Sequence, residues 1–156
     1  MTAGPPVAPP VIKADDLTIP GDDMLYRRVP RIPMEHMVLV DETDGSIVFS
    51  RGAFKFNKND GRSVYRHSIL QDNSFTWEDA KNAPDNGVAS VTVLDVREVN
   101  LGIADDPHPP LPLVLQKPRD VAHAVIVHAA SGPLSNSKRE QALTALAKRA
   151  QSVGPA

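Results

Sequence analysis

Proline punctuates this chain more heavily than a long helical bundle tolerates. There are 15 prolines in 156 residues, against 9 glycines, where ordinary proline usage is about 5%. Proline lacks a backbone N–H and fixes φ, so it interrupts helix interiors and central strands. A long helical bundle or a coiled coil is therefore excluded. The placement says more than the count. Pro5, Pro6, Pro9, Pro10 and Pro20 fall in the first 20 residues, and Pro107, Pro109, Pro110 and Pro112 crowd a second segment. The first run favours extended, polyproline-like chain, so residues 1–21 are expected to form a disordered Pro-rich arm. A ligand for a partner's aromatic groove is the alternative for that run. Residues 22–153 are expected to form a single domain, with the second proline run as a rigid loop.

The length suits one domain with a real core. Hydrophobic residues make up 41% but aromatics only 4%, so the core must rest on Val, Ile, Leu and Ala. The net charge of −2 gives no global steering toward nucleic acid or an anionic membrane. The absence of cysteine excludes disulfides, thiolate metal sites, iron–sulfur clusters and Cys nucleophiles. Residues Met1–Asp16 show neither the basic nor the apolar region of a signal peptide, and no apolar run approaches the roughly 20 residues of a membrane span. A soluble, cytoplasmic protein is expected.

Patterning predicts the elements. Met24–Val29 is a strand stopped by Pro30. His36–Val40 and Ser46–Ser50 flank an Asp-Gly reversal, and Arg62–Leu70 leaves the turn Asn57–Gly61, so residues 36–70 are expected to form an antiparallel meander. Thr76–Ala83 opens with a helix start. Val88–Val99 is a Val- and Thr-rich strand covered on both faces, with a helix as the alternative. Val121–Ala129 is the clearest buried strand. Ser137–Ser152 is the clearest helix, with Ser137 and Glu140 as a capping box and Leu143, Leu146, Ala147 and Ala150 on one face. The sum is an α+β fold: a mostly antiparallel sheet with one short helix and a C-terminal amphipathic helix on one face.

The segment Arg51–His67 concentrates the chemistry. Arg51, Lys55, Lys58, Arg62 and Arg66 face a single acid, Asp60, giving a local charge of +4 in a chain whose total is −2. Phe54, Phe56 and Tyr65 are interleaved. Cations beside aromatic rings on a hairpin suit phosphate and a stacked base or ring; a merely solvated hairpin with protected edges is the competing reading. Arg27, Arg28 and Arg31 come from the preceding strand. Alternation puts Arg27 with Leu25 and Val29, and Arg28 with Tyr26. It puts Ser63, Tyr65 and His67 on one face and Arg62, Val64 and Arg66 on the other. Tyr65, His67 and one of the two arginines thus converge on a face, as in a small-molecule site or in a buried polar network that only orders a sheet.

No metal is expected from the five histidines. His123 and His128 sit at odd separation on one strand, and no His-Glu-x-x-His or calcium-loop pattern occurs. His123 is a core histidine or an active-site one. There is no Gly-x-Gly-x-x-Gly, no P-loop and no Gly-x-Ser-x-Gly elbow, and no cofactor is expected.

These residues carry a resemblance. Tyr26-Arg27-Arg28-Val29, the Ser-x-x-Ala-Phe-Lys of Ser50 to Lys55, the Asp-Gly-x-Ser-Val-Tyr of Asp60 to Tyr65, and Ala122-His123-Ala124 with the aliphatics to Val127 resemble a group of short bacterial proteins and domains without an assigned activity. Arg62 stands where that pattern has an aliphatic residue, and Asp120-Val121 where it has a proline. A weaker likeness is to ADP-ribosyltransferase-like toxins, which open with an Arg on the first strand, here Arg27 or Arg28, and use a later aromatic, here Tyr65. Such enzymes need a late glutamate, and Glu78 and Glu98 lie in no recognisable motif.

The leading expectation is a binding or accessory domain that recognises a phosphate-bearing ligand, a nucleotide or nucleic-acid phosphate, or an acidic protein partner. Its ligand-binding residues would be Arg27, Arg28, Arg51, Phe54, Lys55, Arg62, Tyr65 and Arg66. The alternatives are an enzyme acting on a nucleotide-type substrate, with Tyr65, His67 or His123 as catalytic candidates, and a plain protein-interaction module.

Overall fold

The computed structural model describes residues 14–29, 38–40, 47–49, 51–54, 62–81, 87–107 and 117–153. In chain order these form β1 (Met24–Val29), β2 (Val38–Val40), β3 (Ile47–Phe49), a 3-10 turn at Arg51–Phe54, β4 (Arg62–Arg66), α1 (His67–Asp72), a 3-10 turn at Trp77–Lys81, β5 (Gly87–Thr92), α2 (Val93–Glu98), β6 (Leu101–Asp105), α3 (Pro118–Val121), β7 (His123–His128), α4 (Asn136–Arg149) and β8 (Gln151–Ser152). Six strands make one antiparallel sheet in the order β6-β7-β4-β1-β5-β8, and β2 pairs with β3 separately. The expected α+β architecture, with a C-terminal helix, is the one observed.

Period-2 alternation sorts the side chains. One face carries Leu25, Val29, Val64, Val91, Ile103 and Ile126, which join Leu143 and Leu146 of α4 and Val93 and Val96 of α2 in the main core. Each fully buried Leu or Ile in this layer contributes about 2 kcal/mol. The opposite face carries Tyr26 and Val88, against Leu70 of α1, Ala80 of the second 3-10 turn and Ala122. Both faces of β7 are covered, and all six of its residues are buried.

Several boundaries differ from the pattern-based expectation. The expected strand Arg62–Leu70 ends at Arg66, and α1 begins at His67. The first-turn amide of Ser68 donates to the Asp23 carboxylate at 3.2 Å, so the helix start is satisfied from another strand. The expected strand Val88–Val99 divides at Thr92. There the Thr92 hydroxyl accepts from the Asp95 amide and the Asp95 carboxylate accepts from the Thr92 amide, both at 3.0 Å. This reciprocal cap starts α2 in spite of the β-branched run. Asn100, at φ 64°, then reverses the chain into β6. The helix α4 is capped by Ser135 rather than Ser137 and ends at Arg149, after which β8 pairs with β5.

The folded unit takes in residues expected to belong to the arm. Ile19 is 2% exposed within the main core. The Asp15 amide donates to the His128 carbonyl at 3.0 Å, and the Asp16 amide to the Ile103 carbonyl at 2.8 Å. Residues 14–21 therefore belong to the folded unit, and the remainder of the expected arm lies outside the described residues. No helix among the described residues is long and apolar enough to cross a membrane.

Candidate functional site

Strand β4 lies between β1 and β7, and it delivers side chains to both faces. Arg62, Val64 and Arg66 share the main-core face, and Ser63 and Tyr65 the other, as alternation requires. Cross-strand register then aligns a polar row: Ser90 opposes Tyr26, Tyr26 opposes Tyr65, and Tyr65 opposes His123. Directly opposed residues share a face, so four strands contribute to one band.

Two expected ligand-binding residues are occupied by the fold. Phe54 is fully buried in the main core, so its ring is not presented for stacking. Arg66 donates through Nε to Asp23 Oδ2 at 2.8 Å and through Nη1 to both oxygens of Asp105 at 2.9 Å. Asp23, itself buried, also accepts from the Ser68 hydroxyl at 2.8 Å. Burial works against the Arg66 cation, but the hydrogen bonds it donates to Asp105 and Asp23 outweigh it and its pKa rises. Arg66 braces β4 to β1 and β6 and is not a free hand for a ligand. Lys55 and the side chain of Arg51 lie outside the described residues, as do Lys58, Phe56 and Arg31.

Arg27 is different. It is 5% exposed, and its Nε donates to the Ala53 carbonyl at 2.9 Å. Among the described residues no carboxylate pairs with it. Burial first, then the nearby Arg62 and Arg28 cations, push its pKa down to about 9, with Tyr65 acting in the opposite sense. It remains a cation at neutral pH. Burial also lowers the pKa of Arg62. Arg27 and Arg62 lie on the main-core face, and Arg28 and Tyr65 on the other, where β1 leaves β4: the ladder between the two strands covers only Leu25–Arg66 and Tyr26–Tyr65, while β1 stays paired to β5 along its whole length.

On the other face His123 is held on both ring nitrogens. Its Nδ1 lies 2.7 Å from the Asp106 carbonyl and 3.2 Å from Asp106 Oδ2, and its Nε2 lies 2.9 Å from Ser63 Oγ. Tyr65 meets its ring edge-on at 6.0 Å. His67, expected on a strand beside Tyr65, instead opens α1 and places Nδ1 2.9 Å from the Tyr26 hydroxyl. Burial, and then the Asp23 charge, raise the pKa of that phenol.

The structure thus brings Arg27 and Arg62 to one face of the β1–β4 junction, leaves Arg28 and Tyr65 on the other face, and sets Ser63, Tyr65 and His123 along β4 and β7. It does not add Phe54 or Arg66. Ser63 and Asp106 were not picked out as functional residues by sequence. The only signal for Ser63 was its shared face with Tyr65, and nothing local links Asp106 to His123. Of the two glutamates weighed, Glu98 on α2 is engaged by Arg149 at 3.2 Å, and Glu78 is exposed on the second 3-10 turn. No protein-family model matches the chain, and no curated protein or solved structure matches it either.

Proposed function

We propose that this protein binds a phosphate-bearing small ligand at the β1–β4 junction, with Arg27, Arg28 and Arg62 supplying the positive field. One observation carries the reading: Arg27 is a buried guanidinium with no carboxylate against it among the described residues, beside two further arginines. Burying a charge without an opposite one is costly. Arg27, placed in that field, gains from an anion brought in from outside. The planar guanidinium fork suits phosphate oxygens bidentately. Arg66 is assigned to the framework.

The test is a thermal-shift and calorimetric titration of the full chain with inorganic phosphate, pyrophosphate and a nucleoside diphosphate. Binding raises the melting temperature with ligand concentration, because a ligand of the native state adds RT ln(1 + [L]/Kd). The effect weakens with added chloride and is lost in Arg27→Met. A melting temperature indifferent to all three anions at low salt overturns the reading.

A further inference from the structure

On the face opposite Arg27, the contacts of His123 settle which ring nitrogen carries its proton. A peptide carbonyl only accepts, so the close approach of Nδ1 to the Asp106 carbonyl, 2.7 Å, requires Nδ1–H as donor. In the neutral imidazole Nε2 then holds a lone pair. The Ser63 hydroxyl, 2.9 Å away, donates to it. The Asp106 carboxylate oxygen at 3.2 Å from Nδ1 favours the imidazolium that forms when Nε2 takes a proton. This is the division of labour by which a histidine activates a serine, recognised by geometry and role rather than by sequence motif. Ser63 is exposed, whereas His123 is buried, so the serine stands at the surface and its base is held in place.

We propose that Ser63 is an activated nucleophile that accepts an acyl group from carboxylic esters, with His123 as general base and Asp106 as a positioning residue. Ser63 Oγ forms a bond to the ester carbonyl carbon while its proton passes to His123 Nε2. The tetrahedral intermediate then breaks its bond to the alcohol oxygen, which leaves with that proton. Water, deprotonated by His123, attacks the acyl-serine, releases the carboxylic acid and restores the hydroxyl. Ester and water give acid and alcohol, and no other reactant is needed. The inference stands on the His123 contacts and is independent of anion binding by Arg27.

The experiment treats the full chain with p-nitrophenyl acetate and maps the acetyl group by peptide mass spectrometry. Acetyl is expected on Ser63, with nitrophenol release that falls on the order of 10²-fold in His123→Gln and is lost in Ser63→Ala. Circular dichroism checks that each variant is folded. A second variant separates activation from architecture. The chain has no cysteine, so Ser63→Cys introduces a unique thiol whose alkylation by iodoacetamide can be followed against pH. Next to His123 it should react well below the ordinary thiol pKa of about 8.5. Adding His123→Gln should return it to the ordinary profile, and Asp106→Asn should move it part of the way. Acetylation elsewhere or nowhere, or a thiol with an ordinary pH profile, overturns the proposal.

Discussion

Arg27 donates to the carbonyl of Ala53 across 2.9 Å, and among the described residues this backbone oxygen, rather than a carboxylate, is what a buried guanidinium at the centre of β1 has been given. The contact ties the strand to the first 3-10 turn and sets no carboxylate from the described residues against the charge. Replacing Arg27 by Met should therefore leave the ligand-free protein no less stable, and up to about 2 kcal/mol more stable, since an apolar side chain avoids the desolvation cost. Urea unfolding in phosphate-free buffer checks this. A large loss of stability would show that the Ala53 contact outweighs the buried charge.

Arg66 presents the opposite balance. Its guanidinium meets Asp23 and Asp105, with Asp23 4% exposed at the side chain. Removing the buried acid strands Arg66 Nε and the two Ser68 donors together. Asp23→Ala should cost about 3 kcal/mol, whereas Asp105→Ala, at the more exposed carboxylate, should cost under about 1 kcal/mol. Denaturant midpoints of the two variants give the comparison, and equal losses would contradict it.

His128 sets a pH dependence. Burial, and then the Arg139 charge, lower its pKa below the ordinary 6.5. The folded state therefore resists a proton that the unfolded chain accepts. Stability is full above about 6.5 and falls as the pH drops below it, because the unfolded state then binds more protons. Replacing His128 by Phe should flatten stability between neutral pH and the lowered pKa, measured as denaturation midpoints across that window. An unchanged slope would assign the dependence to other groups.

Gly102 admits the N-terminal segment to the sheet. A Cβ there would collide with Asp15 Cβ and come within 2.7 Å of the His128 carbonyl oxygen. Asp15 is held at that point by Arg97 Nε at 3.0 Å and by the Ile103 amide at 2.9 Å. Gly102→Ala should cost about 2–3 kcal/mol and release the segment from β6. Faster hydrogen exchange at the Asp15 and Asp16 amides is the expected signature.

Much of this was legible in the residues. Alternation along β1 and β4 placed Arg27 apart from Arg28 and Tyr65 apart from Arg66, because strand geometry is local and has period 2. The apolar stripe of Leu143, Leu146 and Ala147 announced α4 for the same kind of reason. Thr92 and Asp95 carried a legible helix start that the Val-rich run obscured. The helix at His67 had no such signal, since its amide is satisfied by Asp23, 45 residues away.

The sequence by itself determined which stretches extend or coil, where proline stops them, and which side chains share a strand face. All of these depend on backbone geometry over a few residues. Only the tertiary structure decided which charge meets which. Asp23 finds Arg66 at a separation of 43 residues, and Ser63 finds His123 at 60. The basic segment looked like one cationic hairpin, yet folding neutralises Arg66, buries Phe54, and leaves Arg27 without a carboxylate among the described residues. Pairing of charges is set by strand order and register, and those are chosen by burial summed over the whole sheet, which no short stretch of sequence encodes.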